Sequence, residues 1–427
     1  MNSRLFKIKD DLKRQKVDVA LVSSIPNITY LTGYSGFSKE EREVMILIVK
    51  KGQYILTDKR YLAEIKRYIK DFELEEVSSS TPFRIALEKL IKKHKIKKLG
   101  VEEDNLTISE YKSLSKHFNN IYHLSVDPLR TVKDKHEIKA IEKACQLTDK
   151  TFDYILTKIK RGITEKELAF EIEFFIKKNG SDLAFEPIVA FGKHSSVPHH
   201  KPQSVIPARR FQEASPLGGK AGIQGTWIPN QVGNDKGIDN KLNQNNIILL
   251  DFGAKVDNYC SDMTRVVFLG KATNEQKRVY ETVLEAQQKA MEFINNFYSS
   301  SEQSQVPSGT WQRESRSLNS SRSASWRTSN NSILASEVDK VAHEYIRSKG
   351  YGDNIFHSLG HGVGLEIHEA PRLSPKSKET LKPGMVFTVE PGIYLPDKFG
   401  VRIEDTVVLE KNGLRLLTRS PKTLLEL

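Results

Sequence analysis

Cysteine is nearly missing from this chain, with only Cys145 and Cys260 among 427 residues. So few thiols exclude both a disulfide framework and a thiolate-rich structural zinc site, so stability has to come from apolar cores. Cys260 itself reads as a small packed side chain rather than a ligand. No run of roughly 18 apolar residues occurs, which excludes an ordinary membrane-spanning helix. The start, Met1-Asn2-Ser3-Arg4-Leu5-Phe6-Lys7, runs into charge without an apolar export segment, so a cytoplasmic protein is expected. The first 125 or so residues also hold no glycine-rich phosphate loop, which points that region toward binding or oligomerisation rather than catalysis.

Positive charge is plentiful, at a formal net +12. The lysines are scattered through amphipathic stretches such as Ile91-Lys92-Lys93-His94-Lys95-Ile96-Lys97-Lys98, with no RNA-reading aromatic motif or zinc finger beside them. They read as solvated helix faces. No specific nucleic acid partner is expected, only non-specific polyanion binding at low salt.

The length favours two domains. Residues 1–127 alternate charged amphipathic stretches with strand-like runs at Val17–Val22, Met45–Val49, Tyr54–Thr57 and Lys98–Val101, the pattern of an α/β domain. After a joint at Val126-Asp127-Pro128-Leu129-Arg130, helical periodicity runs from about Asp134 to Lys160 and from Thr164 to Asn179. There Thr164 and Glu167 form a Thr-x-x-Glu capping box. Strand signals follow near Phe185–Ala190 and at Ile247–Leu250. Two segments break this texture, at about 206–243 and 300–331. They are rich in Ser, Asn, Gln, Gly and Arg, have no apolar period, and contain all three tryptophans, Trp227, Trp311 and Trp326. Both are expected to be disordered insertions.

Asp251, Asp262, His361, Glu390 and Glu404 stand in order in or beside apolar, strand-like stretches of the second half. Four carboxylates and one imidazole suit two divalent ions, with Mn²⁺ expected first and Co²⁺ or Zn²⁺ as alternatives. Water held between two such ions is the natural nucleophile. Leu249 to Arg265 reads as two strands joined by a turn near Val256-Asp257-Asn258. A tight turn would set Asp251 and Asp262 nearly opposite one another, about 5 Å apart at Cβ. Two like charges so placed call for a cation or a shared proton. Glu390 and Glu404 each end an apolar run, where an unpaired carboxylate would be costly. Gly360-x-Gly362-x-Gly364 lacks the spacing of a dinucleotide fingerprint.

Six motifs together resemble the pita-bread metallopeptidases of the aminopeptidase P and prolidase group. They are Pro198-His199-His200, Asp251-Phe252-Gly253-Ala254, Ser261-Asp262-Met263-Thr264-Arg265, the His357 to His368 stretch, Glu390-Pro391-Gly392 and Arg402-Ile403-Glu404-Asp405. Asn27 to Gly36 and the Arg130 joint are similar to that family's N-terminal domain and linker. The resemblance implies a creatinase-type α/β domain over 1–127 and an α+β pita-bread catalytic domain over 128–427. It implies Asp251, Asp262, His361, Glu390 and Glu404 as ligands of two metal ions, with Asp262 and Glu404 bridging. Glu390 would also take the proton of the attacking water, and His368 would stabilise the oxyanion. His199 and His357 would line the proline pocket, and Arg402 would orient the ligands from behind.

The residues themselves lead only to metal-assisted hydrolysis of an amide by a hydroxide held between the ions. Cleavage before proline, by an Xaa-Pro aminopeptidase or dipeptidase acting as a homodimer on proline-containing peptides, comes from the resemblance. A non-catalytic binding protein that keeps the fold is the alternative, and hydrolysis of a creatine-like substrate is a third reading.

Overall fold

The computed structural model of the protein describes residues 3–38, 41–118, 120–202, 241–302 and 332–427. The N-terminal part runs α1 (Ser3–Gln15), β1 (Val19–Val22), α2 (Ile25–Thr32), β2 (Val44–Val49), β3 (Gly52–Asp58), α3 (Lys59–Tyr68), β4 (Glu73–Val77), α4 (Phe83–His94), β5 (Leu99–Val101), α5 (Ile108–Ser115) and β6 (Ile121–His123). Its six strands make one mixed sheet in the order β4-β3-β2-β1-β5-β6. Side chains alternate across a strand, so Ala20, Val22, Ile46, Ile48 and Ile55 fill the core on one face. Val19, Leu21, Leu47, Val49, Tyr54 and Leu56 fill a second core on the other. The sequence reading missed β4, whose Glu-Leu-Glu-Glu-Val composition is that of a charged edge strand, which carries little apolar period.

A short helix, α6 (Asp127–Thr131), leads into α7 (Lys135–Leu156) and α8 (Glu165–Lys178), the latter capped by the reciprocal Thr164 and Glu167 hydrogen bonds expected from the sequence. There follow β7 (Asp182–Leu183), β8 (Ile188–Phe191), β9 (Asn246–Phe252), β10 (Ala254–Val256), β11 (Tyr259–Cys260), β12 (Met263–Leu269), α9 (Asn274–Glu302) and α10 (Ala335–Ser348). The chain closes with β13 (Gly360–Gly362), β14 (Glu369–Leu373), β15 (Val386–Val389), β16 (Gly392–Leu395), β17 (Phe399–Arg402), β18 (Asp405–Glu410), β19 (Gly413–Leu416) and β20 (Leu425–Glu426). Sheets β20-β12-β9-β8 and β14-β13-β15-β18-β19 are the two largest of this part.

Strand β9 is buried on both faces, which is why its sequence is a continuous apolar run. Ile248, Leu250 and Phe252 join the core under α7 and α8, while Ile247 and Leu249 join the core of α9, α10 and the last strands. Alternation therefore turns Asp251 toward the second core. On β12, Val266 and Phe268 share that core, so Thr264 and, two residues back, Asp262 face the same way. The hairpin turns at Asp257-Asn258, both at positive φ.

The expected placement of the two aspartates needs correcting. The β9–β12 ladder sets Asp251 opposite Thr264, and the bond from Ser261 N to Ala254 O keeps that register at the tip, so Asp262 lies opposite Gly253. The aspartates are diagonal neighbours on one face, about 7–8 Å apart along the backbone. The space between them is wider than a directly opposed pair would leave, and better suited to something held in the middle. Gly253 permits the crossing, because a Cβ there would lie 1.9 Å from the Ser261 carbonyl oxygen.

Most of the two compositionally odd segments lies outside the described residues. The first ends earlier than its composition suggests. Leu242 is fully buried, its N–H donates to Ile163 O at 2.7 Å, and its carbonyl accepts from Gly162 N at 2.8 Å.

Candidate active site

All the residues singled out from the sequence line one cavity of about 230 Å³. His199, Asp251, Asp262, His357, His361, His368, Glu390, Arg402 and Glu404 are joined there by Phe185, Ile188, Pro198, Ser358, Ile367 and Arg372. They arrive from different elements. Asp251 comes from β9, Asp262 from just before β12, His361 from β13, Glu390 from just after β15, and Glu404 from the link between β17 and β18. Glycines at 360 and 362 let β13 pass close to its neighbours, since a Cβ at either would lie 2.2 Å from Thr388 O or 2.1 Å from Ala370 O.

His361 Nδ1 lies 3.1 Å from the carbonyl of its neighbour Gly362, a contact that fixes the ring with Nε2 turned into the cavity. Nε2 faces Glu390 Oε1 at 3.2 Å and Asp262 Oδ2 at 3.5 Å. Donor atoms of Asp262, His361 and Glu404 all lie within 4.8 Å of one another. One carboxylate oxygen of each of Asp251, Asp262 and Glu404 is buried without a hydrogen-bond partner. Burial, and then the neighbouring carboxylates, push the Asp262 carboxyl well above its ordinary value, and Glu404 likewise. Burial would also raise Glu390, but the His361 hydrogen bond and the cations nearby outweigh it and hold it at about 2. A buried set of repelling carboxylates with orphaned oxygens beside an imidazole nitrogen is the environment that divalent charge relieves, so these residues fit metal ions.

A polar layer behind the cavity sets these groups. Thr264 Oγ1 donates to Glu404 Oε2 at 2.6 Å and accepts from Arg402 Nε at 3.0 Å. Arg402 also donates to Asp251, and its Nη1 donates to the Tyr394 hydroxyl at 2.6 Å. Tyr394 in turn meets His357 Nε2 at 2.8 Å, while His357 Nδ1 is tied to Ser358 O at 2.8 Å. Since Nδ1 carries the proton, Tyr394 donates to Nε2, and burial keeps His357 neutral by lowering its pKa. Thr388 Oγ1 accepts from His361 N and donates to Glu390 Oε1, both at 3.0 Å. His199 and His368 stand at the open side of the cavity. Partial burial and then His361, whose ring meets it edge-on at 4.3 Å, push His368 down to about 4. The sequence reading assigned no role to Thr264, Thr388, Tyr394 or Arg372. Arg372 alone carried a signal, an arginine in the strand opposite His361, but its pairing is visible only in the sheet.

Glu165, His194 and His200 form a second group of possible donors. Their bonds of 2.7 and 2.8 Å to the carboxylate are hydrogen bonds, and the two imidazoles stack at 22° with centroids 4.7 Å apart. Each ring meets its own oxygen of the Glu165 carboxylate, so these donors are already paired with one another. This group is a clamp on the segment that carries His199.

The model of metallopeptidase family M24 matches residues 139–300 and 324–411, and that of the creatinase/prolidase N-terminal domain matches 4–132. The chain belongs to the M24 metallopeptidase family. This M24 enzyme is 33% identical to the Bacillus subtilis peptidase YqhT, with 99% of each chain covered. It is 31% identical to a Pyrococcus horikoshii Xaa-Pro dipeptidase, covering 100% of this chain and 99% of that one. Among solved structures it resembles an Xaa-Pro dipeptidase from Bacillus anthracis (TM-score 0.77, 29% identity, 100% and 99% covered). It also resembles an X-Pro aminopeptidase from Thermotoga maritima (TM-score 0.73, 32% identity, 96% and 98% covered). Its fold is thus a creatinase-type N-terminal domain followed by the pita-bread catalytic domain of the prolidases, and the family implies divalent metal ions. No helix among the described residues is long and apolar enough to cross a membrane.

Proposed function

We propose that this metallopeptidase hydrolyses the peptide bond before proline with two divalent ions held by Asp251, Asp262, His361, Glu390 and Glu404. The observation that carries the reading is the convergence of three orphaned buried carboxylate oxygens and His361 Nε2 in one cavity. The ions, when bound, supply Lewis-acid polarisation and lower the pKa of water. Glu390, kept ionised and oriented by Thr388 and His361, accepts the proton of the attacking water and passes it toward the leaving proline nitrogen. His368, neutral and open to the cavity, donates an N–H to the developing oxyanion. Arg402 holds Asp251 while Tyr394 holds His357, so the wall beside the substrate is rigid before it arrives. Phe185, Ile188 and Ile367 give that wall the apolar surface that suits a proline ring.

Xaa-Pro dipeptidase is favoured over aminopeptidase. Arg372 is an exposed cation of the cavity lining, placed to meet a carboxylate on proline itself. Residues 1–127 and 128–427 act as the two domains, the protein works in the cytoplasm, and it forms a homodimer.

The test uses metal-stripped protein with Mn²⁺, Co²⁺ or Zn²⁺ restored. Ala-Pro, Ala-Pro amide and a longer Xaa-Pro-Xaa peptide are the substrates, alongside Asp262→Ala and Arg372→Gln. Metal-dependent cleavage lost in Asp262→Ala is expected, with Arg372→Gln raising KM for Ala-Pro but not for its amide. Absence of cleavage by folded, metal-loaded protein would refute the peptidase reading. Preference for the longer peptide would replace dipeptidase by aminopeptidase, and sedimentation showing only monomer would remove the dimer.

A further inference from the structure

The joint between the two domains reaches the cavity wall through one buried cation. Arg130, at the end of α6, is 3% exposed. Its Nη1 donates to Asn27 Oδ1 at 2.9 Å, and its Nη2 donates to Glu366 Oε2 at 2.9 Å and to Glu369 Oε2 at 2.5 Å. Asn27 is itself fixed to Glu102 at 2.7 Å and to Asp127 at 2.8 Å through its Nδ2, and Glu102 also takes the N–H groups of Ser23 and Ser24. On the far side Lys133 Nζ meets Glu369 Oε1 at 2.7 Å. Gly364 makes room for this carboxylate, since a Cβ there would lie 2.3 Å from Glu369 Oε1. Two residues sit between the glutamates that Arg130 grips, Ile367 and His368, and both line the active-site cavity.

We propose that Arg130 is a positioning residue that sets His368 by clamping Glu366 and Glu369 on either side of it, so that the N-terminal domain tunes a reaction it does not touch. The inference rests on the role given to His368 above. His368 ends the connection from β13 to β14, with Glu366 in that connection and Glu369 at the start of the strand, so its position depends on how both flanks are held. Arginine's rigid planar fork holds two carboxylates and an amide at fixed angles, which the single ammonium of lysine does not. Coupling between the domains then runs through Glu102, Asn27 and Arg130, a continuous chain of buried hydrogen bonds.

The experiment is a double-mutant cycle on the metal-loaded enzyme with Ala-Pro, using Arg130→Lys, His368→Ala and the pair, with metal content and urea midpoint measured for each. Arg130→Lys is expected to lower kcat at least 10-fold with KM and metal content within 2-fold of wild type. In the His368→Ala background the same change should alter kcat less than 2-fold, because the residue it acts through is gone. An equal fold-loss in both backgrounds would show general structural damage and overturn the proposal, as would Arg130→Lys with wild-type kcat. Wild-type kcat in His368→Ala alone would instead show that His368 has no role in the reaction, a separate failure that carries the clamp with it. If Arg130→Lys does not fold, Glu366→Gln replaces it in the cycle. Glu366 is 42% exposed, and its loss of one held flank should lower kcat 2- to 5-fold, again only when His368 is present.

Discussion

Thr264 gives the sharpest check on how the metal ligands are held. It is fully buried, and its hydroxyl is the only atom between Arg402 and Glu404 in the described hydrogen-bond chain, accepting at 3.0 Å and donating at 2.6 Å. Thr264→Val keeps the side-chain shape but removes both bonds and leaves a second Glu404 oxygen without a donor. Hydrogen bonds to charged groups contribute roughly 1.5–3 kcal/mol each. If the Glu404 bond alone is lost from the metal-bound form, affinity falls by about one to two decades at roughly 1.4 kcal/mol per decade. Co²⁺ titration of apo protein, followed by visible absorption and checked by calorimetry, reads this directly. Thr264→Val should bind about 10- to 100-fold more weakly, while Thr264→Ser, which restores the hydroxyl, should stay within about 3-fold of wild type by the same argument. Affinity within 3-fold of wild type in Thr264→Val would refute the reasoning. A Thr264→Ser variant as weak as Thr264→Val would mean that packing of the methyl, and not the hydroxyl, is what matters.

The other predictions concern stability. Arg265 is 1% exposed, pairs with Asp405 at 2.7 Å, and donates to the carbonyls of Thr264, Glu404 and Ser420. Arg265→Met should cost about 3 kcal/mol, the low end for breaking a buried pair because Lys422 still meets Asp405, and a loss under 1 kcal/mol in urea at fixed metal concentration would contradict this. Gly253→Ala should force β9 away from the chain at Ser261-Asp262, between the two diagonal aspartates, lowering both the urea midpoint and the bound metal; unchanged metal content in a destabilised variant would separate the two effects. Burial would raise Glu369, but Lys133 and Arg130 outweigh it and hold its carboxyl below the ordinary 4.5. A depressed folded pKa gives stability that is present above the unfolded value and lost as pH falls through the folded one. The gap in urea midpoint between wild type and Glu369→Gln should therefore be constant above about pH 5.5 and narrow below pH 4.5; a gap that widens on acidification would be incompatible with that sign.

Much of this protein is local, and its sequence carries that part by itself. Short continuous apolar runs define β1, β2, β3 and β9, and the Thr164 and Glu167 box starts α8, because such runs and capping depend only on near neighbours. The candidate cluster is partly legible for a related reason. A carboxylate that ends an apolar run, as at Asp251, Glu390 and Glu404, is costly unless paired; each alone suits a salt bridge as well, and only the set together with His361 and the resemblance points to metal. What the sequence alone did not determine is who faces whom. The register of β9 on β12 made Asp251 and Asp262 diagonal rather than opposed, a matter of two residues that turn length does not specify until the tip and the Gly253 crossing are built. Thr264 and Tyr394 look ordinary in one dimension, and Arg372 and Arg130 show no role there beyond a charge in a strand and a place in the joint. Their meaning lies in partners far along the chain, such as Thr264 with Arg402 and Arg130 with Glu369. Only packing decides such pairs, because a polar side chain has no periodic signature and takes its role from whatever the fold brings within about 3 Å of it.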